Sequence, residues 1–113
     1  MGSTRFAGEE IGRLCEIFER DIERGVHHVS RRVRESEAGD ELTSLGRIAL
    51  PAIVAHLRTP DWQEDPDLQE AWGMLLYNIA IREHEEFVGP DFTDTKAWLA
   101  WADKTIMSAQ AKV

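Results

Sequence analysis

The sequence predicts an all-α protein, a small array or irregular bundle of about four helices forming one domain over residues 1–113. Three observations carry this. Apolar residues recur at steps of three and four through most of the chain, the period of a helix face. No stretch alternates apolar and polar residues convincingly enough to read as a strand. Between the periodic stretches lie turn residues: Gly39 within Ser36–Asp40, Pro60 and Pro66 bounding a polar loop, and the pair Gly89-Pro90. At 113 residues the chain can bury a modest core without a disulfide or metal to staple it.

Residues 1–8 read as a short polar lead-in, in part disordered. From Glu9 to Glu35 the set Ile11, Leu14, Cys15, Phe18, Ile22, Val26, Val29 and Val33 marks one long amphipathic helix. Gly25 lies inside it at a cost of roughly 1 kcal/mol relative to alanine, enough to allow a bend or a break; one continuous helix is expected. Its acids gather early (Glu9, Glu10, Glu16, Glu19) and its bases late (Arg24, Arg31, Arg32, Arg34), as the helix dipole favours. Ser36–Asp40 then reads as a turn, with Asp40 capping the next helix.

That second helix carries the stripe Leu42, Leu45, Ala49, Ile53 and Leu57, with Pro51 inside it. A proline there removes a backbone donor and clashes with the preceding turn, so a bend is expected near Ala49 and Leu50. After the acidic loop Thr59–Pro66 comes a third helix, expected to be capped by Asp67, with Leu68, Ala71, Trp72, Leu75, Ile79 and Ala80 on its core face. The stretch Glu85–Thr93 should be irregular and should fold Phe87, Val88 and Phe92 onto the helices. A last helix is expected over Asp94–Ala109, with Ala97, Trp98, Trp101, Ala102 and Ile106 apolar.

Over residues 41–84 this order of bent helix, connection and capped helix resembles one HEAT-type repeat. The matching residues are Leu45-Gly46, Ala49-Leu50-Pro51, Ile53-Val54 and Leu57, then Asp67-Leu68, Ala71 and Leu75 to Ala80. Two features depart from the family's pattern. The connection Thr59–Pro66 is longer and more acidic than the usual tight turn, and Gln69 stands where the family often places an arginine that links repeats. The resemblance implies a scaffold or binding surface, a non-enzymatic adaptor, and it carries over no catalytic residue. HEAT-like proteins also include DNA glycosylases with basic helices, which makes a nucleic-acid-acting protein the alternative from another class.

The formal charge of −8 and pI near 4.9 argue against general nucleic-acid binding and against an anionic membrane surface. No apolar run approaches the length of a membrane span, and no basic-then-apolar leader opens the chain. Met1-Gly2 is no myristoylation signal, because Phe6 occupies the place that signal reserves for Ser or Thr. Cys15 is the only cysteine and gives no internal disulfide, so a cytoplasmic protein is expected.

Glu19, Glu23 and His27 share one face of the expected long helix at i, i+4 and i+8, a spacing that suits a metal in a four-helix bundle. A solvated face with pairs to Arg20 and Arg24 is the simpler reading. The Glu-x-x-His signature of di-iron bundles is absent. His27, His28, Arg31, Arg32 and Arg34 form the basic cluster that the nucleic-acid alternative would use; neutralising a helix C-terminus explains it more simply. His84-Glu85-Glu86 reads as a charged helix end, and Cys15 as core. No residue is assigned a catalytic, cofactor-binding or metal-binding role.

The partner-binding residues are expected to be Met74, Tyr77, Ile81 and Trp62. At 100° per residue from Leu68, the first three fall at about 240°, 180° and 220°, opposite the core stripe. A protein partner or a second copy would cover them, with Gly73 allowing close approach, unless another helix of the same chain does so. Trp62 reads either as an exposed aromatic anchor or as a lid on the hairpin end.

Overall fold

The computed structural model describes residues 3–60, 62 and 65–111, with side chains over 8–60, 62 and 65–108. Among them are α1 (Ser3–Arg24), α2 (Val29–Glu35), α3 (Glu37–Leu45), a 3₁₀ turn (Gly46–Ala49), α4 (Leu50–Leu57), α5 (Pro66–Glu83) and α6 (Thr95–Ala111), with no strand. The all-α expectation holds. About four helices become six because each of the first two is divided, and the helix already running from Ser3 replaces most of the expected lead-in. No helix among the described residues is long and apolar enough to cross a membrane.

The first division corrects the single helix expected over Glu9–Glu35. α1 stops at Arg24, and Arg32 of α2 folds back over the break. Its Nη1 donates at 2.7 Å to the Ile22 carbonyl, one of those the end of α1 leaves open, and its Nε donates at 2.5 Å to the His27 carbonyl in the connection. A Cβ at Gly25 would lie 2.1 Å from Arg32 Cδ, so the glycine makes room for this side chain. Val26, placed in the core stripe by periodicity, is 90% exposed as a result.

Ser36–Asp40 is a helix start rather than a turn. Ser36, not Asp40, is the cap: its Oγ accepts from the Gly39 N–H at 3.1 Å and donates to Asp21 Oδ2 on α1 at 2.8 Å. Gly39 sits inside α3 because the Phe18 ring presses on it; an added Cβ would meet two ring carbons at 3.0 Å.

The second division falls at Gly46, three to four residues before the bend expected near Ala49 and Leu50. Gly46 has φ +59° and ψ −127°, a conformation open to glycine and costly for any side chain. The 3₁₀ turn follows, and Pro51 lies in the first turn of α4, where its missing N–H costs nothing. Likewise Asp65, not Asp67, caps α5: its Oδ1 accepts from the Asp67 N–H at 2.8 Å, and Pro66 takes the first helical position. Asp94 begins α6 by accepting from the Ala97 N–H at 3.2 Å.

α5 lies at the centre, touched by α1, α2, α3 and α6, while α4 packs between α1 and α6. One continuous core joins Cys15, Phe18 and Ile22 of α1 to Leu42, Leu50, Ile53, Trp72, Leu75, Ile79 and Trp98. Arg58 ties the end of α4 to α6 through both oxygens of Asp103.

Gly46→Ala should destabilise the fold by about 1–3 kcal/mol through backbone strain, whereas Pro51→Ala should cost about 1 kcal/mol or less. Urea unfolding of the two variants measures both, and a larger loss at Pro51 would contradict the placement of the bend.

Candidate interaction site

The expected binding stripe on α5 lies largely within the chain. Tyr77 is half-buried between Phe87 and Phe92, with ring centroids 6.1 and 5.7 Å away. The close approach at Gly73 is made by the connection before α6: a Cβ there would lie 2.0 Å from the Phe92 carbonyl oxygen. Met74 and Ile81 are half-buried as well. Phe87 and Phe92 pack as the sequence suggests, but Val88 points outward at 92% exposure. Met74 and Tyr77 thus pack at half burial against the core, and the chain's own connection before α6 shares the face expected for a partner.

Trp62 also turns inward. Its Nε1 donates to Glu19 Oε2 at 2.6 Å, and the Trp72 Nε1 donates to the same oxygen at 2.8 Å. The other oxygen, Oε1, lies 3.0 Å from His56 Nε2 on α4, at ion-pair distance but without the alignment of a hydrogen bond. Burial raises the Glu19 carboxyl, and the contacts from His56, Trp72 and Trp62 together outweigh it, so the group is held below the usual carboxylate range. Glu19 therefore faces the interior, and the row of Glu19, Glu23 and His27 does not form; His27 lies beyond the end of α1. No cluster of three His, Cys, Asp or Glu side chains suited to a metal occurs among the described residues.

The basic cluster is partly spent on structure. Arg32 serves the α1 terminus and approaches Asp67 at 3.4 Å, and Arg31 pairs with Glu35 at 2.8 Å. Asp67 and Glu70 share the surface that His27, His28 and Arg34 occupy. Cys15 is fully buried, and burial, followed by Glu19 and Glu16, pushes its thiol up to about 12, which keeps it protonated and inert.

An open apolar surface lies elsewhere, between α1 and α3. Ile11 and Leu14 of α1 face Leu45 of α3 and Ile48 of the 3₁₀ turn across a groove of about 450 Å³. Ile48 is 69% exposed. Glu10, Asp40 and Glu41, all exposed, stand along the edges. Leu45 ends α3 and Ile48 lies in the 3₁₀ turn that follows, and both line the groove. Sequence reasoning passed over Ile48 because a continuous helix through Pro51 sets it off the stripe.

No protein-family model matches this chain, and no curated protein or solved structure is similar enough to it to bear on the site.

Glu19→Ala should cost about 2–5 kcal/mol by leaving two indole N–H groups unpaired. Glu19→Gln keeps an oxygen for both and should cost about 1 kcal/mol, the difference between charged and neutral acceptors. Because the folded carboxyl is depressed, its contribution is complete above the unfolded value near 4.5 and disappears as pH falls through the lower folded value. Urea midpoints of wild type and Glu19→Gln should therefore converge in acid.

Proposed function

We propose that this chain is a non-enzymatic protein-interaction module of HEAT-like type, acting in the cytoplasm, whose α1/α3 groove receives an amphipathic segment bearing lysine or arginine. The observation that carries this reading is Ile48, a large aliphatic side chain left 69% exposed in an apolar groove edged by three carboxylates. An apolar stripe on the partner would cover Leu14, Leu45 and Ile48, and its cations would meet Glu10, Asp40 and Glu41. The formal charge of −8 draws a cationic partner toward the chain before contact. A second copy fits this groove less well, because most of its surface brings acid against acid.

The HEAT-like reading of 41–84 is supported by a first helix that is kinked, as α3, the 3₁₀ turn and α4, and by α5 following it and touching α3. α1 and α6 pack on either part of this hairpin as flanking repeats would. The long connection remains a departure from the family, and Trp62 anchors it to Glu19.

The test uses two fluorescent designed helices of equal length, one of leucine and lysine, the other of leucine and glutamate, titrated by anisotropy. Wild type should bind the first, with affinity falling as salt rises, and should ignore the second. Ile48→Glu should weaken binding by about 10- to 100-fold, the worth of one buried aliphatic side chain, with an unchanged urea midpoint. Equal binding by wild type and Ile48→Glu would place the contact elsewhere and overturn this site.

A further inference from the structure

The aromatic side chains that seal α5 against α6 leave an opening on the side of Arg47 and Lys104. Phe87 is their hub, with its ring centroid 6.1 Å from Tyr77, 5.9 Å from Trp98 and 5.8 Å from Trp101. The chain can lie this close to Trp98 because residue 89 is glycine; a Cβ there would stand 2.7 Å from Trp98 Cη2 and 2.6 Å from Phe87 Cε2. Beyond the half-buried faces of Phe87 and Trp101 is a pocket of about 340 Å³, floored by Ala80 and bordered by Arg47, Glu83, His84, Lys104 and Ser108. Ligand pockets run from roughly 300 to 1,000 Å³, so this one is large enough for a small molecule.

The charge of this border runs against that of the chain. The one carboxylate, Glu83, is already engaged by Arg47, whose Nε lies 2.7 Å from Oε1 and 2.8 Å from Oε2. That pairing uses one edge of the guanidinium. Lys104 has no ion-pair partner among the described residues, and His84 has none either. A protein with formal charge −8 thus sets an unpaired ammonium and an imidazole beside two aromatic walls. A cationic ligand, which aromatic walls alone would favour, is repelled by Lys104 and Arg47.

We propose that this pocket binds a small planar organic anion, an aromatic carboxylate whose ring stacks against Phe87 and Trp101 and whose carboxylate is held by Lys104, with Arg47 adjacent. The ring supplies apolar contact, and the carboxylate selects the site by a charge-assisted hydrogen bond. This site is separate from the α1/α3 groove and does not depend on the protein-interaction reading.

The probe is 1-naphthoate, titrated by calorimetry and by tryptophan fluorescence, with the neutral 1-naphthamide as its isostere. Wild type should bind the carboxylate at least about tenfold more tightly than the amide, the worth of one hydrogen bond to a charged group. Lys104→Glu, an exposed substitution on α6 that spares the fold, should remove this preference. Trp101→Leu should weaken both probes. Ile48→Glu should leave naphthoate binding unchanged, so failure here is separable from failure at the groove, and Arg34→Glu should leave it unchanged at the other basic surface. Equal affinity for acid and amide, an unaltered Lys104→Glu, loss of binding in Arg34→Glu alone, or no binding at millimolar concentration would each overturn the assignment.

Discussion

The carboxylate of Glu19 is the point at which α1, α4, α5 and the connection before α5 are joined. Two indoles can bury their rings only if each N–H finds an acceptor, and both find the same oxygen of Glu19. The carboxylate can itself leave water only if its lone pairs are met, and two indoles meet one oxygen while His56 stands beside the other. Each group makes the burial of the next tolerable. Trp72 then stacks edge-on against Phe18 at 4.8 Å, so the polar contact and the aromatic core fix the same register between α1 and α5. An apolar side chain at position 19 would fill the space without fixing that register.

Core positions were legible in the sequence because burial on a helix has a period. Leu68, Ala71, Trp72, Leu75, Ile79 and Ala80 are all buried, as are Leu42, Ala49, Ile53 and Leu57, and Ile11, Cys15, Phe18 and Ile22. Helix ends were less legible where a tertiary contact decides them. Gly25 is required by the path of Arg32, and Gly39 by the Phe18 ring; neither neighbour is local. Two ends did carry a local signal that was outweighed. Asp65-Pro66 is a cap followed by proline at the first helical position, and Pro51 five residues after Gly46 reads equally as a helix stopping and restarting.

The surface was harder to read for a related reason. That α5 is apolar on two faces was visible in Met74, Tyr77 and Ile81, but the segment that covers the second face, Glu85–Thr93, has no period of its own. Only its content of Phe87 and Phe92 hinted at the outcome. Trp62 illustrates the same limit: its partner Glu19 lies 43 residues away in a helix whose acids read as a solvated row. The pocket beside Trp101 needs the aromatic hub to exist first, and Arg47, Lys104 and His84 come together there from three separate segments.

Gly46 links the bend of the first helix pair to both open sites. Its backbone conformation ends α3 at Leu45 and begins a turn with three residues per revolution, in which neighbouring side chains stand about 120° apart. Arg47 is thereby directed to Glu83 and the α5/α6 side, and Ile48 to Leu45 and the α1/α3 side. The residue that divides the helix also sets which faces the next two side chains serve. Ile48 is left exposed in that turn, and with Leu45, Leu14 and Ile11 it makes a continuous apolar floor where a scattered surface aliphatic would make none.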